Sequence, residues 1–339
     1  MRRTIRGPRV PGLLAAVLAG GGMVGAPGAV PPVAASALAW AASSTLAQVD
    51  TLTTPPNAAD VGLDVRWEPS SPSDGTALAV FVRAAASEAD GIEVRAELDG
   101  RPLRLGQLGG GWFGLAPLPA DRTGDVELIV SARTGGTKPF VQSWTVPVIP
   151  RTYSTTELSV ASRFSNPAPE VLRRIERERD LVRSTLRQVT PEWLIDGNFV
   201  RPRSTRITSP FGQKRLFNGD LQSRHWGVDL AGDVGMPVRV AGRGRVMIAR
   251  ELYYAGNAIY VSHGFGVFTG YYHLSEMDVT EGQIVERGQV IGKVGATGRV
   301  TGPHLHWSFF VDGERLDAGS VLDFRVPEAS AFLDSDPVP

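Results

Sequence analysis

The chain has 339 residues, which exceeds one ordinary domain, so two or three structural units are expected. Its 35 basic and 35 acidic side chains balance, which argues against a general nucleic-acid-binding protein. There is no cysteine, so disulfides, thiolate metal sites and a cysteine nucleophile are excluded, and any metal site must use His, Asp or Glu.

The N-terminal residues have the pattern of a secretory signal. Four arginines precede an apolar stretch over residues 13–30, and Ala37-Leu38-Ala39 fits a small-residue cleavage site before Trp40. We predict a signal peptide over residues 1–39 and export to the periplasm or the extracellular cell-wall space. The alternative is an uncleaved membrane anchor. We expect no contact with a membrane other than through this segment. Residues 40–60, rich in Ala, Ser, Thr and Pro, are predicted to be a disordered lead-in.

Residues 61–150 alternate between apolar and polar side chains in several short runs, which indicates half-buried strands. The clearest run is residues 92–98, followed by Asp99-Gly100, a typical hairpin turn. Residues 126–132 and 144–148 repeat the pattern. We predict an antiparallel β-sandwich module. It contains no histidine and no catalytic constellation, so we interpret it as a spacer or docking module.

Residues 151–196 are predicted to be a connector that contains an amphipathic helix of about 20 residues ending near Pro191. Its apolar residues recur at three- and four-residue steps from Val171 to Val189. The charged run over residues 173–180 favours a solvated face with i,i+4 pairs, and a partner-binding face is the alternative.

Residues 197–327 return to short strands and glycine turns, so we predict a compact all-β domain, followed by a tail over residues 328–339. The strands are expected over residues 238–248, 258–262, 267–272 and 290–294. The fold class is therefore mainly β: an N-terminal antiparallel sandwich, a helical linker and a C-terminal β-domain.

All five histidines of the chain lie in this last domain, at positions 225, 263, 273, 304 and 306. His304 and His306 are two apart in a strand-like segment, so both imidazoles should project from the same face. His225 and Asp229 are four apart, and the intervening Gly227 favours a strand-to-loop pair over a helical one. Imidazole nitrogen and carboxylate oxygen are typical Zn²⁺ ligands.

Five motifs in residues 205–325 together resemble the M23 family of zinc metallopeptidases, of the lysostaphin or LytM-like type. The resemblance covers about a third of the chain, and the motifs have the order and spacing that they have in the family. The motifs are His225-x-x-x-Asp229, Tyr272-His273-Leu274-Ser275, Gly282-x-x-Val285-x-x-Gly288, Ile291-Gly292-x-Val294-Gly295-x-Thr297-Gly298 and Gly302-Pro303-His304-Leu305-His306.

The resemblance implies one Zn²⁺ per chain, bound by His225, Asp229 and His306, with the fourth position open for water. It implies that His273 and His304 lie beside the metal as catalytic residues, one of them taking the proton of the water. Which of the two is the base stays open.

The resemblance also implies a lysostaphin-like fold and a metalloendopeptidase that acts on bacterial peptidoglycan, expected to be a monomer. D-amino-acid cross-links are expected rather than glycine bridges, because no wall-binding SH3-like tail follows the domain. Two alternatives are a non-catalytic LytM-like regulator that activates cell-wall amidases and a wall-binding module with a structural metal. The complete histidine set favours an enzyme.

Other residues of the domain carry weaker expectations. His263 matches a family position and is interpreted as structural. Trp226 is bulkier than is usual in the family and is expected to reshape the entrance to the site. Residues 205–222 are a candidate for occluding the site or supplying a fourth ligand such as Asn218. Asn218, together with Tyr271 or Tyr272, is also a candidate for lining the cleft.

Overall fold

The computed structural model describes residues 63–84, 91–134, 139–157, 168–217 and 220–327. The predicted signal peptide, lead-in and C-terminal tail, together with Asn218, lie outside the described residues. The predicted mainly β class is confirmed. Among the described residues, no helix combines the length and the apolar character that crossing a membrane requires.

The N-terminal module contains eight strands in two antiparallel four-stranded sheets, ordered β1-β2-β6-β5 and β4-β3-β7-β8. A shared apolar cluster contributed by both sheets, including Leu78, Val80, Leu98 and Leu128, lies between them. Asp99 and Gly100 have φ angles of 50° and 70°, so the predicted hairpin turn between β3 and β4 is confirmed. The strands are β1 (Leu63–Glu68), β2 (Ala77–Ala84), β3 (Ile92–Leu98), β4 (Arg101–Leu103), β5 (Gly106–Leu108), β6 (Gly111–Pro117), β7 (Val126–Thr134) and β8 (Phe140–Val146).

The C-terminal part is built on an eight-stranded sheet whose main path is β10-β13-β21-β17-β16-β15-β19, with β22 paired to β21. Two small sheets, β14-β20-β18 and β12-β11-β9, flank it. The strands are β9 (Thr155–Glu157), β10 (Ile207–Ser209), β11 (Lys214–Phe217), β12 (Asp220–Arg224), β13 (Val228–Ala231), β14 (Pro237–Arg239), β15 (Gly244–Leu252), β16 (Gly256–Gly264), β17 (Val267–Leu274), β18 (Glu276–Met277), β19 (Ile284–Val285), β20 (Val290–Lys293), β21 (His304–Val311) and β22 (Glu314–Leu316).

The prediction of one continuous strand over residues 238–248 is wrong. The chain turns at residues 240–243, so this stretch is divided between β14 and β15. The turn is held by the backbone N–H of Ala241, which donates to the Tyr271 hydroxyl at 2.7 Å. Val240 and Ala241 in this turn are apolar and buried, like the residues of the strands on either side. The apolar pattern therefore continues through the turn, and periodicity alone could not reveal the turn.

The side chains of β21 alternate between two faces of the sheet, as its period of two requires. Leu305, Trp307 and Phe309 are buried in the larger apolar core. Phe310 faces the other side, where a smaller cluster with Tyr260, Phe268 and Leu186 lies beneath the helix. The same alternation places His304, His306 and Ser308 on the second face, beyond the area that the helix covers.

The predicted amphipathic helix is confirmed as α1 (Pro169–Leu186), which has 18 residues. It begins with a proline in its first turn, a favourable position, and ends at Leu186, before the predicted limit near Pro191. Ile175 and Leu186 are its buried apolar anchors. The charged face is not wholly solvated: Glu178 accepts from the backbone N–H of Tyr253 at 2.7 Å, and it pairs with Arg174 four residues earlier.

The N-terminal module and the C-terminal part share one apolar core. Phe113 and Leu115 of β6 belong to the same cluster as Trp307 and Phe309 of β21. Ion pairs join the two parts as well, among them Arg104 Nε to Asp312 Oδ1 at 2.6 Å. A strand of the predicted connector, β9, pairs in parallel with β11. The connector is therefore part of the sheet that ends beside the histidine site.

Candidate metal centre

Three of the predicted ligands meet at one point. His225 Nε2, His306 Nδ1 and Asp229 Oδ1 lie 2.9 Å from one another. The side chains of His225 and Asp229 are 2% and 10% exposed, and that of His306 is 14% exposed. The described residues therefore bring together the whole predicted ligand set, and they form a possible metal site.

Strand pairing explains this convergence. Asp229 of β13 is directly opposite His306 of β21, so the two side chains leave the sheet on the same face. His225 follows β12 and enters from the side. Gly227 makes the approach possible, because a Cβ at this position would lie 2.3 Å from His306 Nε2 and 2.7 Å from the Trp307 carbonyl oxygen. As predicted, His225 and Asp229 form a loop-to-strand pair.

The far side of each imidazole is held by a hydrogen bond that determines its tautomer. His225 Nδ1 lies 2.8 Å from the Pro210 carbonyl oxygen, which only accepts, so Nδ1 carries the proton. The Ser308 hydroxyl donates to the Trp226 carbonyl at 3.2 Å and accepts from His306 Nε2 at 3.0 Å. Both rings therefore turn a lone pair toward Asp229. Such outer partners orient metal-ligating histidines and increase their basicity.

The electrostatics of the cluster favour ionised Asp229 and neutral His306. Burial alone would raise the pKa of the Asp229 carboxyl, but hydrogen bonds that the protonated imidazoles of His225 and His306 donate in acid outweigh it and hold that pKa well below its ordinary value. Burial lowers the pKa of His306 to about 4, against the opposing effect of Asp229. At neutral pH the cluster thus offers an anionic oxygen and a neutral imidazole, the protonation states that a metal requires.

The set fits a divalent cation. Three lone pairs converge with no proton between them, an arrangement that a cation stabilises. Two ligands at about 2.0–2.1 Å from a tetrahedral zinc are roughly 3.3 Å apart, so separations of 2.9 Å need only a small outward shift. Three protein ligands are the pattern of a catalytic site, which keeps one position open.

The two other predicted histidines lie next to this set. His304 Nε2 is 3.5 Å from Asp229 Oδ1. The ring centroids of His273 and His304 are 5.0 Å apart, and those of His273 and His306 are 6.0 Å apart. His304 Nδ1 donates to the Gly302 carbonyl and His273 Nδ1 donates to the Thr297 carbonyl, both at 2.9 Å. Each ring therefore keeps the lone pair on Nε2, and in His304 this nitrogen is the one near Asp229.

His273 is in a constrained position. Its φ angle is +64°, in the left-handed region that a non-glycine residue rarely adopts, and its backbone N–H donates to the Ala255 carbonyl at 2.8 Å. Burial, followed by the charges of His306 and His304, lowers its pKa well below the ordinary value. A strained residue that persists in this way is typical of a functional site.

The remaining expectations have mixed outcomes. His263 is fully buried, with Nδ1 bonded to the Arg243 carbonyl at 2.9 Å and Nε2 bonded to Thr269 at 2.8 Å, as a structural residue would be. Tyr271 does not line the cleft, because it is 0% exposed and its hydroxyl accepts from Ala241. Tyr272 does reach the site and stacks on His306, with centroids 5.1 Å apart and planes 16° apart.

Trp226 packs into the main core, with its ring centroid 5.7 Å from that of Phe211 and 5.2 Å from the guanidinium carbon of Arg224. The indole thus contacts Phe211 of the main core and the guanidinium of Arg224. Its contribution to the site is its carbonyl, which fixes Ser308. The predicted effect of its bulk on the entrance finds no support in these contacts.

Two residues at the site were not predicted from the sequence, Ser308 and Arg215. Ser308 was detectable, because it continues the His304-x-His306 alternation by one more step of two and so lies on the same face. Arg215 Nη2 lies 3.7 Å from Asp229 Oδ2. Its segment, residues 205–222, was expected near the site, but nothing in its local pattern singled out this side chain.

Comparison with known families agrees with this geometry. The sequence model of peptidase family M23 matches residues 223–318. This range contains all five site residues: His225, Asp229 of β13, His273 of β17, and His304 and His306 of β21. Residues 223–318 are a peptidase M23 domain. The M23 domain therefore contains every predicted ligand and both predicted catalytic histidines.

Curated relatives of the M23 domain include two bacterial proteins. Peptidoglycan DD-endopeptidase ShyA of Vibrio cholerae serotype O1 is 42% identical over 127 residues, which are 37% of this chain and 29% of ShyA. DD-carboxypeptidase/endopeptidase Mpg of Neisseria meningitidis serogroup B is 41% identical over 117 residues, 34% of this chain and 27% of Mpg. The chain thus aligns with less than a third of the length of either relative.

A solved structure extends the likeness beyond the M23 domain. A crystal structure from Pseudomonas aeruginosa, described as that of a candidate peptidase M23, matches with a TM-score of 0.55 and 28% identity. The matched region covers 75% of this chain and 96% of the Pseudomonas aeruginosa chain. The M23 domain is 96 residues long, so this similarity also includes part of the preceding β-module.

Proposed function

We propose that this protein is a zinc metalloendopeptidase that hydrolyses peptide cross-links of bacterial peptidoglycan. The observation that carries the proposal is the convergence of three lone pairs, from His225, Asp229 and His306, beside two further imidazoles that each donate Nδ1–H to a carbonyl. The names of the relatives ShyA and Mpg support peptidoglycan as the substrate.

The ligand set favours one zinc ion per chain over other metals. Two imidazole nitrogens and one carboxylate oxygen, with a position left open, match the donor sets of catalytic zinc sites. Harder cations such as Mg²⁺ and Ca²⁺ prefer all-oxygen sites, and the two nitrogen donors argue against them. The chain has no cysteine, so a thiolate-bound metal is excluded.

A zinc ion held by His225, Asp229 and His306 would supply Lewis-acid activation of water and of the scissile carbonyl. His273 and His304 are placed to do the proton transfers, because each donates its Nδ1–H to a carbonyl, which leaves the lone pair on Nε2. Each can accept a proton at Nε2 from the attacking water and then donate it to the oxyanion or to the leaving nitrogen. No glutamate base is required.

We place this activity outside the cytoplasm, in the periplasm or the cell-wall space, where peptidoglycan is found, and the predicted signal over residues 1–39 supports this. Cross-links between D-amino acids are the proposed bonds. A purely regulatory role is disfavoured because the ligand set is complete. Loss of one of three ligands would leave the buried Asp229 and the remaining imidazole without a cation to share.

The test is digestion of purified peptidoglycan by the protein lacking residues 1–39, with and without a chelator. We expect release of uncross-linked muropeptides that the chelator stops and added zinc restores. Mass spectrometry of the products identifies the bond that is cut. Cleavage that is insensitive to the chelator, or zinc-loaded protein that releases nothing, would contradict the proposal.

A further inference from the structure

One short segment, residues 210–213 between β10 and β11, holds the ligand His225. The Nδ1–H of its imidazole donates to the Pro210 carbonyl at 2.8 Å. The backbone N–H of Gly212 donates to the His225 carbonyl at 2.7 Å, and the backbone N–H of His225 donates to the Gln213 carbonyl at 2.8 Å. These bonds fix both the ring and the main chain of His225, so a displacement of the segment would move the ligand with it.

The ring of Tyr153, in the predicted connector, packs against this segment. A Cβ at Gly212 would lie only 2.0 Å from Tyr153 Cδ1, so no space remains between the two residues. The ring of Phe211, 2% exposed, has its centroid 6.3 Å from that of Tyr153, with the planes 68° apart. The guanidinium carbon of Arg224, the residue before His225, is 4.9 Å from the centroid of the Tyr153 ring. Tyr153 thus contacts the chain on both sides of the hairpin that leads to the ligand.

Tyr153 is itself fixed by a buried carboxylate of the N-terminal module. Its hydroxyl donates to Asp74 Oδ2 at 2.6 Å, and Asp74, in the loop between β1 and β2, is 1% exposed. The same carboxylate accepts the backbone N–H groups of Asp121, at 2.8 Å, and of Arg151. Burial, followed by the hydrogen bond to Asp74, raises the pKa of the Tyr153 hydroxyl, so this group stays a donor. A buried carboxylate that lost a donor would be destabilised, which keeps Tyr153 in place.

We propose that Tyr153 is a positioning residue for the metal centre. Held by Asp74, it determines where residues 210–213 lie, and through them where His225 presents Nε2 to the other two ligands. This role rests on the metal centre of the proposed function and adds a residue that lies outside the matched residues 223–318. A metal site binds tightly only when its ligands are already in place, so a contact two steps away from the metal contributes to affinity.

The test compares metal binding by the wild type, Tyr153→Phe and Tyr153→Leu. Tyr153→Phe removes only the hydroxyl, whereas Tyr153→Leu also removes the ring that fills the space beside Gly212. Titration against a competing chelator measures zinc affinity. Visible absorption of the Co²⁺-loaded protein reports the geometry of the ligands, which a change in stability alone would not alter.

We expect the two variants to lose affinity in a fixed order. Zinc affinity should fall about threefold to tenfold in Tyr153→Phe, the usual effect of one lost hydrogen bond. It should fall about 10- to 100-fold in Tyr153→Leu, as on loss of an outer partner of a ligating histidine. The Co²⁺ spectrum should change in both variants, and more in Tyr153→Leu.

Val130→Ala is the control for stability. Val130 is 0% exposed in the separate apolar core of the N-terminal module, and its truncation destabilises that module without changing Tyr153. This variant should keep the zinc affinity and the Co²⁺ spectrum of the wild type. If Val130→Ala lowers zinc affinity as much as Tyr153→Phe does, the effect is one of general stability and the positioning role is overturned.

These measurements do not depend on catalysis. Wild-type zinc affinity and an unchanged Co²⁺ spectrum in both Tyr153 variants would overturn the positioning role and leave the peptidase function intact. A wild type that binds zinc but digests no peptidoglycan would overturn the peptidase function, and the titrations would still decide the role of Tyr153. A wild type that binds neither Zn²⁺ nor Co²⁺ would overturn both.

Discussion

Ser308 determines which nitrogen of His306 is available to the metal. Its hydroxyl lies between His306 Nε2 and the Trp226 carbonyl, and it is 2% exposed. Ser308→Ala removes the acceptor for the Nε2–H bond and allows the ring to rotate or change tautomer. We expect zinc affinity to fall about 10- to 100-fold, the usual effect of losing an outer partner of a ligating histidine. Zinc titration against a competing chelator measures it.

A matched variant for this experiment is Ser262→Ala. Ser262 is also buried, at 1% exposed, and its hydroxyl accepts a backbone N–H from Gly264 at 3.4 Å. The variant should bind zinc as the wild type does. Equal zinc affinity in Ser308→Ala and the wild type would show that the Ser308 hydrogen bond does not orient His306.

His263 makes the fold sensitive to acid without taking part in the chemistry. Burial lowers its pKa to about 4, whereas the ordinary value of 6.5 applies to the unfolded chain. Because the unfolded chain binds the proton first, the stabilisation is complete above pH 6.5 and is lost as the pH falls through 4. The expected loss from this one residue between pH 7 and pH 4 is about 3 kcal/mol in the free energy of unfolding.

Denaturant unfolding of the metal-free protein at several pH values tests this expectation. His263→Gln keeps a donor for the Arg243 carbonyl and an acceptor for the Thr269 hydroxyl, but it does not titrate. The difference in stability between wild type and variant should shrink or reverse as the pH falls. An identical pH dependence in the two proteins would contradict the assignment of a neutral, buried His263.

At the scale of the element, α1 supports the sheet that carries the histidine site. Leu186, 5% exposed, packs with Phe268 and Tyr272 of β17 and Phe310 of β21 on the face that carries the histidines. Leu186→Ala should reduce the free energy of unfolding by roughly 2–4 kcal/mol, the usual cost of a large-to-small change in a core. Thermal unfolding of the zinc-loaded protein measures it.

Arg179→Ala is the control for the helix, because Arg179 is exposed in the middle of α1. This variant should unfold within about 0.5 kcal/mol of the wild type, as most surface substitutions do. If Leu186→Ala is equally neutral, the helix does not support the sheet. Loss of zinc from Leu186→Ala at temperatures where it stays folded would show that the support extends to the site.

The sequence revealed most elements because their patterns are local. The alternation in residues 92–98, the Asp99-Gly100 turn and the periodicity of α1 need no knowledge of distant contacts. The split between β14 and β15 was missed because buried residues run through the turn. Likewise, β9 is short and has no pattern of its own; it exists because β11 offers it an edge.

The sequence predicted which residues form the site but not their detailed geometry. Its five polar residues follow from the strand period of two and from the family motifs, and the structure brings them together. Tautomers, the φ angle of His273 and the position of Arg215 depend on carbonyls and side chains from distant segments. No local spacing encodes the contact between Arg215 and Asp229, since it arises from how the hairpin of β11 and β12 folds over the sheet.

At the scale of the whole molecule, the N-terminal module is a structural partner of the M23 domain. Phe113 is fully buried in the core shared with β21, and Trp193 donates its Nε1–H to the Phe113 carbonyl at 3.2 Å. Arg224, next to His225, pairs with Asp121 of the module at 2.7 Å. The module therefore contacts a neighbour of the first ligand, and its docking helps to determine the position of that ligand.

The central claim is that three side chains hold the metal and two neighbouring histidines do not. The most direct measurement is the zinc content per chain of the wild type, His304→Ala and His306→Ala, all lacking residues 1–39, with peptidoglycan digestion by each. We expect about one zinc in the wild type, most of that zinc but no cleavage in His304→Ala, and neither zinc nor cleavage in His306→Ala. Zinc retained in His306→Ala and lost in His304→Ala would reverse the roles, and a wild type without zinc would contradict the account.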